Sequence, residues 1–314
     1  MTRPTYPGGA RFALSIFDDA DFATKANSAP VYDLLARSGM RTTKSVWVHP
    51  SRGRFGGESL ADPAYRDWIL ELQAQGFEIG LHNVGDGTFS RSEILAGLET
   101  FRAVIGSYPR THANHVSNPD CLYWWDRRFE WPFSVLYRLI YRVRHGRAVR
   151  PRGEEPTSPQ FWGDVAKEHL RYIRNLTFNG IDTLARDPRM PYRIASKDAS
   201  SNLWFSSSDG QRLEEMVDLL SPDHLDALEA SGGACIVYTH FGAGFVDAAG
   251  VVDPVFEQRI ADLASRPGWF VPVSTLLDHL ADGRSTADPG YRYRLGRNLR
   301  WAIDRLAKRR RYRR

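Results

Sequence analysis

Short apolar runs alternate with amphipathic stretches along most of the chain. RFALSIF reads as a buried strand, and Asp18 and Asp19 follow at its end. A helix-like VYDLLARSG comes next, then a strand-like TTKSVWV and a helix from about Pro63 to Gln75. FEIGLH reads as another strand. Ser90 with Glu93 forms a capping box, and the helix it opens runs to about Ile105, before Gly106. THANHV is a short strand. After an interruption the rhythm returns with LWFSSSD, a helix opened by Ser221 and Pro222, the strand ACIVYTH, a helix over 254–265, then WFVPVS and a last helix from Ser274. Strands alternating with helices predict a mostly parallel sheet with helical crossovers. Such folds carry their chemistry at the carboxyl ends of the strands.

The chemistry-bearing residues gather at those ends. Asp18 and Asp19 close the first strand, and adjacent carboxylates repel unless something positive holds them. A metal ion does this, with one carboxylate as ligand and its neighbour taking a proton from water. The plainer reading makes both solvated loop acids. His82, His112 or His115, Asp209 and His240 also lie at or beyond strand ends. Lys197 and Asp198 in RIASKDASS lie near another, where they could tune His240, bind sugar hydroxyls or cap loops. His49, His145, His169, His224 and His279 read as ordinary hydrogen-bonded residues.

With 314 residues and 42% hydrophobic content the chain can build one large core, as a single α/β barrel or as two domains. No apolar run is long enough to cross a bilayer, and no signal-like stretch precedes the first strand, so a cytoplasmic location is expected. Cys121 and Cys235 imply no disulfide framework.

Charge divides the chain. Residues 291–314 hold eleven Lys or Arg and one acid, Asp304, and contribute +10 to a total of +5. The remainder is therefore acidic, which argues against an enzyme of nucleic acids. Leu295, Leu299, Ile303 and Leu306 form an apolar stripe on this basic tail. A helix packed on the body accounts for the stripe, while the terminal KRRRYRR is expected to attract phosphate. A second departure, about 119–163, breaks the strand–helix rhythm. Within it, residues 121–152 carry eight Arg against Asp126 and Glu130. This insertion reads as a packed segment with snorkelling arginines, or as a lid or interfacial helix. If it and the tail share one side, peripheral contact with the inner membrane face through 121–152 and 291–314 is expected, with a lipid-linked or envelope glycan precursor as substrate.

The order FDDAD, EIGLHN, RTHANH and CIVYTHFG resembles the polysaccharide deacetylase (NodB homology) family over roughly residues 10–280. The resemblance implies a distorted (β/α) barrel over 1–285, with the insertion and a separate basic tail, 286–314. It implies a divalent metal, zinc by expectation, and hydrolysis of N- or O-acyl groups on a glycan. Carried over residue by residue, Asp18 is the base, Asp19 and His82 are ligands, and His240 protonates the leaving group. The pattern departs from the family where a second ligand His is due, because Asp86 stands there. Asp86 could ligate directly, or His115 or His112 could supply the imidazole, with His115 preferred. The chain therefore reads as a divergent branch. A glycosidase using carboxylates such as Asp18 and Asp198, or a degenerate glycan-binding barrel, are the rival readings.

Overall fold

The computed structural model describes residues 4–116, 118–145 and 150–312. Residues 146–149 of the insertion and the terminal Arg313 and Arg314 lie outside the described residues. In chain order the elements are β1 (Phe12–Asp18), α1 (Lys25–Arg37), β2 (Thr43–Val46), α2 (Pro63–Ala74), β3 (Glu78–Leu81), α3 (Arg91–Ile105), β4 (Thr111–His112), α4 (Phe133–His145) and α5 (Gly163–His169). Then follow β5 (Tyr172–Phe178), α6 (Thr183–Arg186), β6 (Leu203–Asp209), α7 (Leu213–Leu219), α8 (Pro222–Ser231), β7 (Ala234–Thr239), α9 (Pro254–Ala264), β8 (Gly268–Phe270), α10 (Val273–Ala281) and α11 (Tyr291–Arg311).

Every strand pairs in parallel, in the order β2-β3-β4-β5-β6-β7-β1, and β1 closes back on β2. The result is a seven-stranded (β/α) barrel, as the alternation predicts. Its distortion sits at β1. The first half of β1 pairs with β8 (Phe12 to Gly268), whereas its end pairs with β2 (Asp18 to Lys44). The ring thus closes only at the carboxyl end of β1, where its acids stand.

Local chemistry sets the boundaries. Ser90 caps α3 by accepting from Glu93 N, while the Glu93 side chain bonds back to Ser90 N. Gly106 ends the helix at φ 88°, a left-handed conformation that costs glycine little. Pro63, Pro222 and Pro254 stand at helix starts, where the missing N–H is not needed. β5 escapes the hydrophobic pattern because Arg174 and Asn175 interrupt it. A register shift between Arg174 and Thr177 bulges the strand there.

The basic tail is docked. α11 lays Asn298 and Asp304 against the body. Asp304 accepts from the Asn179 backbone N–H at 2.9 Å and pairs with Arg300 at 3.0 Å. Arg305 and Lys308 clasp Asp209 at the end of β6, at 3.0 and 2.9 Å. The Trp301 ring packs on Phe129 and Tyr137 from the insertion, so tail and insertion meet. Asp304→Ala leaves a buried N–H and a guanidinium without their acceptor, and urea denaturation should show a loss of about 1–3 kcal/mol. No change beyond about 0.5 kcal/mol, the usual surface effect, would mean that α11 does not contribute to the fold.

Candidate metal centre

Side chains of an extended strand alternate faces, so Asp18 and Asp19 cannot both enter the barrel. Asp18 turns toward α1. Its carboxylate accepts from the Tyr32 hydroxyl (3.0 Å) and the Phe241 backbone N–H (2.8 Å), and pairs with Lys44 Nζ at 2.8 Å. Both Asp18 and Lys44 are fully buried. Burial works to lower the Lys44 pKa, but Asp18 outweighs it and keeps the amine charged. Asp18, expected as the base, is thus fully buried and held by three partners of the fold itself.

Asp19 points the other way, but it too is claimed. Arg174 on β5 grips it with two bonds, 2.8 and 2.6 Å. Burial pushes the Asp19 pKa up, yet Arg174, with His82 and His240, prevails and holds it below the usual carboxylate range. His82 Nε2 and His240 Nε2 stand 3.8 and 3.9 Å from its Oδ2.

The centre of the cluster is Asp21, which the sequence reading passed over. Its Oδ2 lies 3.0 Å from His82 Nε2 and 3.5 Å from His240 Nε2, and its Oδ1 lies 3.2 Å from His115 Nε2. All four residues are nearly or wholly buried. Asp21 lies in the turn just after β1, three residues past Asp18, where the backbone carries it into the cluster.

The hydrogen bonds of the histidine rings bear on what the cluster could hold. His82 Nδ1 meets the Ala113 carbonyl at 3.0 Å, and a carbonyl can only accept. His115 Nδ1 meets Asn118 Oδ1 at 2.9 Å. That amide is oriented by its other bonds, since Gly87 N donates to the same Oδ1 and Asn118 Nδ2 donates to Gly85 O. Both rings thus spend their Nδ1 protons outward. In neutral imidazole each Nε2 then aims a lone pair at an Asp21 oxygen. Acceptor facing acceptor is repulsive unless two protons or one cation stand between them. Two imidazoles and a carboxylate, all ligand atoms within 4.8 Å of one another, suit a divalent ion such as zinc. Outer partners that fix imidazole orientation are the usual accompaniment of such a site. A second grouping, Asp19, Asp21 and His240, shares the central carboxylate.

Trp47 lies parallel to the His82 ring and edge-on to His115, and the Phe55 ring meets His115 at 4.8 Å. Asn83 accepts from His115 N at 2.7 Å and donates to Asp120 at 2.6 Å. These walls and bonds leave His115 one orientation.

The remaining expected residues fall elsewhere. Asp86 stands behind His115, with Oδ1 3.6 Å from Nδ1, the side away from Asp21. Its Oδ2 accepts from Ser51 Oγ and Phe55 N, and Gly53 packs so closely that a Cβ there would lie 2.1 Å from Asp86 Oδ1. His112 faces Asn114 and Trp162, and burial pushes its pKa down to about 3, so it stays neutral. Lys197 is buried against Trp204 and Tyr123, and desolvation brings its pKa to about 7. Asp198 pairs with Lys167 at the surface, and Asp209 with α11. None of these five reaches the Asp21 cluster with a ligand atom.

Two outcomes test this geometry. Lys44→Met strands the buried Asp18 charge and should cost about 3–5 kcal/mol in chemical denaturation; stability equal to wild type would show that Asp18 is free for other work. Asn118→Ala releases the His115 tautomer and should weaken zinc binding about 10–100-fold by titration calorimetry, whereas unchanged affinity would remove His115 from the ligand set.

No family model and no curated protein matches the chain. Solved structures do. A candidate polysaccharide deacetylase from Pseudomonas aeruginosa PAO1 aligns with TM-score 0.55 and 14% identity, over 90% of this chain and 95% of its own. Another, from Mycobacterium smegmatis, aligns with TM-score 0.52 and 14% identity, over 92% and 97%. The likeness covers nine tenths or more of each chain. The fold expected from FDDAD, EIGLHN and CIVYTHFG is therefore the fold observed: this chain has the (β/α) barrel fold of the polysaccharide deacetylases.

Proposed function

We propose that the protein is a metal-dependent hydrolase that removes an acyl group from a carbohydrate or glycan precursor. The observation that supports this most is the pair of imidazoles whose Nδ1 atoms are committed outward and whose Nε2 atoms converge on Asp21. Asp21, His82 and His115 are the proposed ligands. A divalent ion there, zinc by its N,N,O donors, would polarise an acyl carbonyl and acidify water.

The protein's own groups supply the proton transfers. Asp19 is the proposed base, since it is the carboxylate beside the ligand set that does not itself meet the fixed imidazoles closely. Arg174 holds it ionised and fixes its plane. His240 is the proposed acid. Burial lowers its pKa, but the bond to Asp21 and the charges of Asp21, Asp19 and Asp18 outweigh this and raise it, favouring the imidazolium that can protonate a departing amine or alkoxide. The Tyr238 hydroxyl, 3.2 Å from His240 Nε2, orients that ring. Compared with the expectation, the base moves from Asp18 to Asp19 and the carboxylate ligand from Asp19 to Asp21.

Asp19→Asn should lower kcat on an acetylated glycan oligomer by about 10²–10⁴ while zinc content stays at the wild-type level. Arg174→Met should move the acid limb of the pH–rate profile upward, because the guanidinium that depresses the Asp19 pKa is gone. A wild-type rate in Asp19→Asn, or an unmoved acid limb in Arg174→Met, would take the base role from Asp19.

A further inference from the structure

The insertion and the tail leave an apolar surface that the fold does not use. On α4, Val135, Leu136, Leu139, Ile140 and Val143 are exposed, Val143 to 87%. Their spacing puts them on one face, opposite the side where Tyr137 and Tyr141 pack. Trp131, 67% exposed, stands just ahead of the helix. On α11, Leu299, Ile303 and Leu306 are exposed in a stripe whose opposite side carries Asp304 and Arg305 into the body. Solvent-facing aliphatic rows of this size need a covering.

The charges around them say which covering fits. Residues 131–152 contain no acid, and the one acid of α11, Asp304, is buried. Arg142 on α4 and Arg292, Arg309 and Arg310 on α11 are exposed, and among the described residues none forms an ion pair within 4 Å. These exposed arginines repel their counterparts on a second copy, which disfavours self-association through this face. Nucleic acid would use the arginines but leave the aliphatic rows in water. Aliphatic rows edged by arginine match the boundary of an anionic bilayer, where acyl chains lie beside phosphate. At 13 residues α4 is about 20 Å long, too short to span, and no helix is long and apolar enough to cross a membrane.

We propose that α4, with the outer stripe of α11, docks this protein on an anionic lipid surface. Both helices are tied to the metal centre. Trp125, which stacks on Tyr141 of α4 at 4.0 Å, donates to the carbonyl of Val116, next to His115. Arg305 and Lys308 of α11 hold Asp209, whose β-partner Tyr238 bonds His240. Docking therefore places the bilayer beside the elements that carry the ligands and the acid, where a lipid-anchored substrate would be presented. The docking claim itself does not depend on the hydrolase reading, because it is measured without turnover.

The test is flotation of the full-length protein with phosphatidylcholine vesicles, with and without phosphatidylglycerol. The wild type should float with the anionic vesicles, release in high salt and stay behind with the neutral ones. Leu139→Glu/Val143→Glu should reduce the floated fraction about tenfold, and Leu299→Glu/Ile303→Glu should reduce it as well, with melting temperatures at the wild-type value. Absence of the wild type from the anionic vesicle layer overturns the proposal. So does equal flotation of the α4 double variant. So does a concentration-dependent dimer that the same substitutions dissolve, with no vesicle binding, since the face would then be a self-interface.

Discussion

Two imidazole rings reach one buried carboxylate through their Nε2 atoms, and much of the surrounding structure fixes them there. His82 is committed to the Ala113 carbonyl and His115 to Asn118, so neither can turn its proton toward Asp21. Asn118 is held by two backbone groups of the loop after β3, and Asn83 grips the backbone of His115 while leaning on Asp120. Burying so many ionisable groups together carries a desolvation cost, and a divalent ion held among them would add stability. The cost is met by the fold around it: Arg174 neutralises Asp19, and Trp47 and Phe55 fix the rings.

The forked pairing of β1 delivers this arrangement. Because β1 meets β2 only at its end, Asp18 falls opposite Lys44 and becomes part of the barrel seam. Asp19, just past the strand end, and Asp21, in the turn that follows, reach the cluster instead. One run of four residues, Asp18 to Asp21, thus divides between a buried structural pair and the histidine cluster. A break in the Asp18–Lys44 pair would disturb the seam and so the cluster beyond it.

The element pattern was legible wherever apolar residues repeat. α2, α3, β6 and α8 start at or within a residue of their expected positions because Pro63, Ser90 and Ser221 mark them. β5 was not legible, since its inward Arg174 and the bulge after it disrupt the strand pattern, and only the buried partner Asp19 explains why a charge belongs there. His82 and His240 were placed by their strand ends, and the structure brings them together with His115 around one carboxylate. The proposed base lies one residue, and the proposed carboxylate ligand two residues, beyond the expected positions, because the neighbouring pair Asp18–Asp19 draws attention from Asp21 in the turn that follows. Asp86, standing where a second histidine was expected, turned out to lie behind His115, as distances across sequence-distant loops cannot be read from spacing.

The resulting protein has the deacetylase-type barrel fold, a proposed ligand set that draws His115 from a different strand end, and an arginine-edged aliphatic face. The most direct test of that ligand set is a crystal of the protein soaked in zinc, with anomalous difference maps collected at the zinc edge. A single strong peak about 2 Å from Asp21, His82 Nε2 and His115 Nε2 is the predicted result. A peak bound instead to Asp18 or Asp86, or none within the Asp21 cluster, would contradict the account.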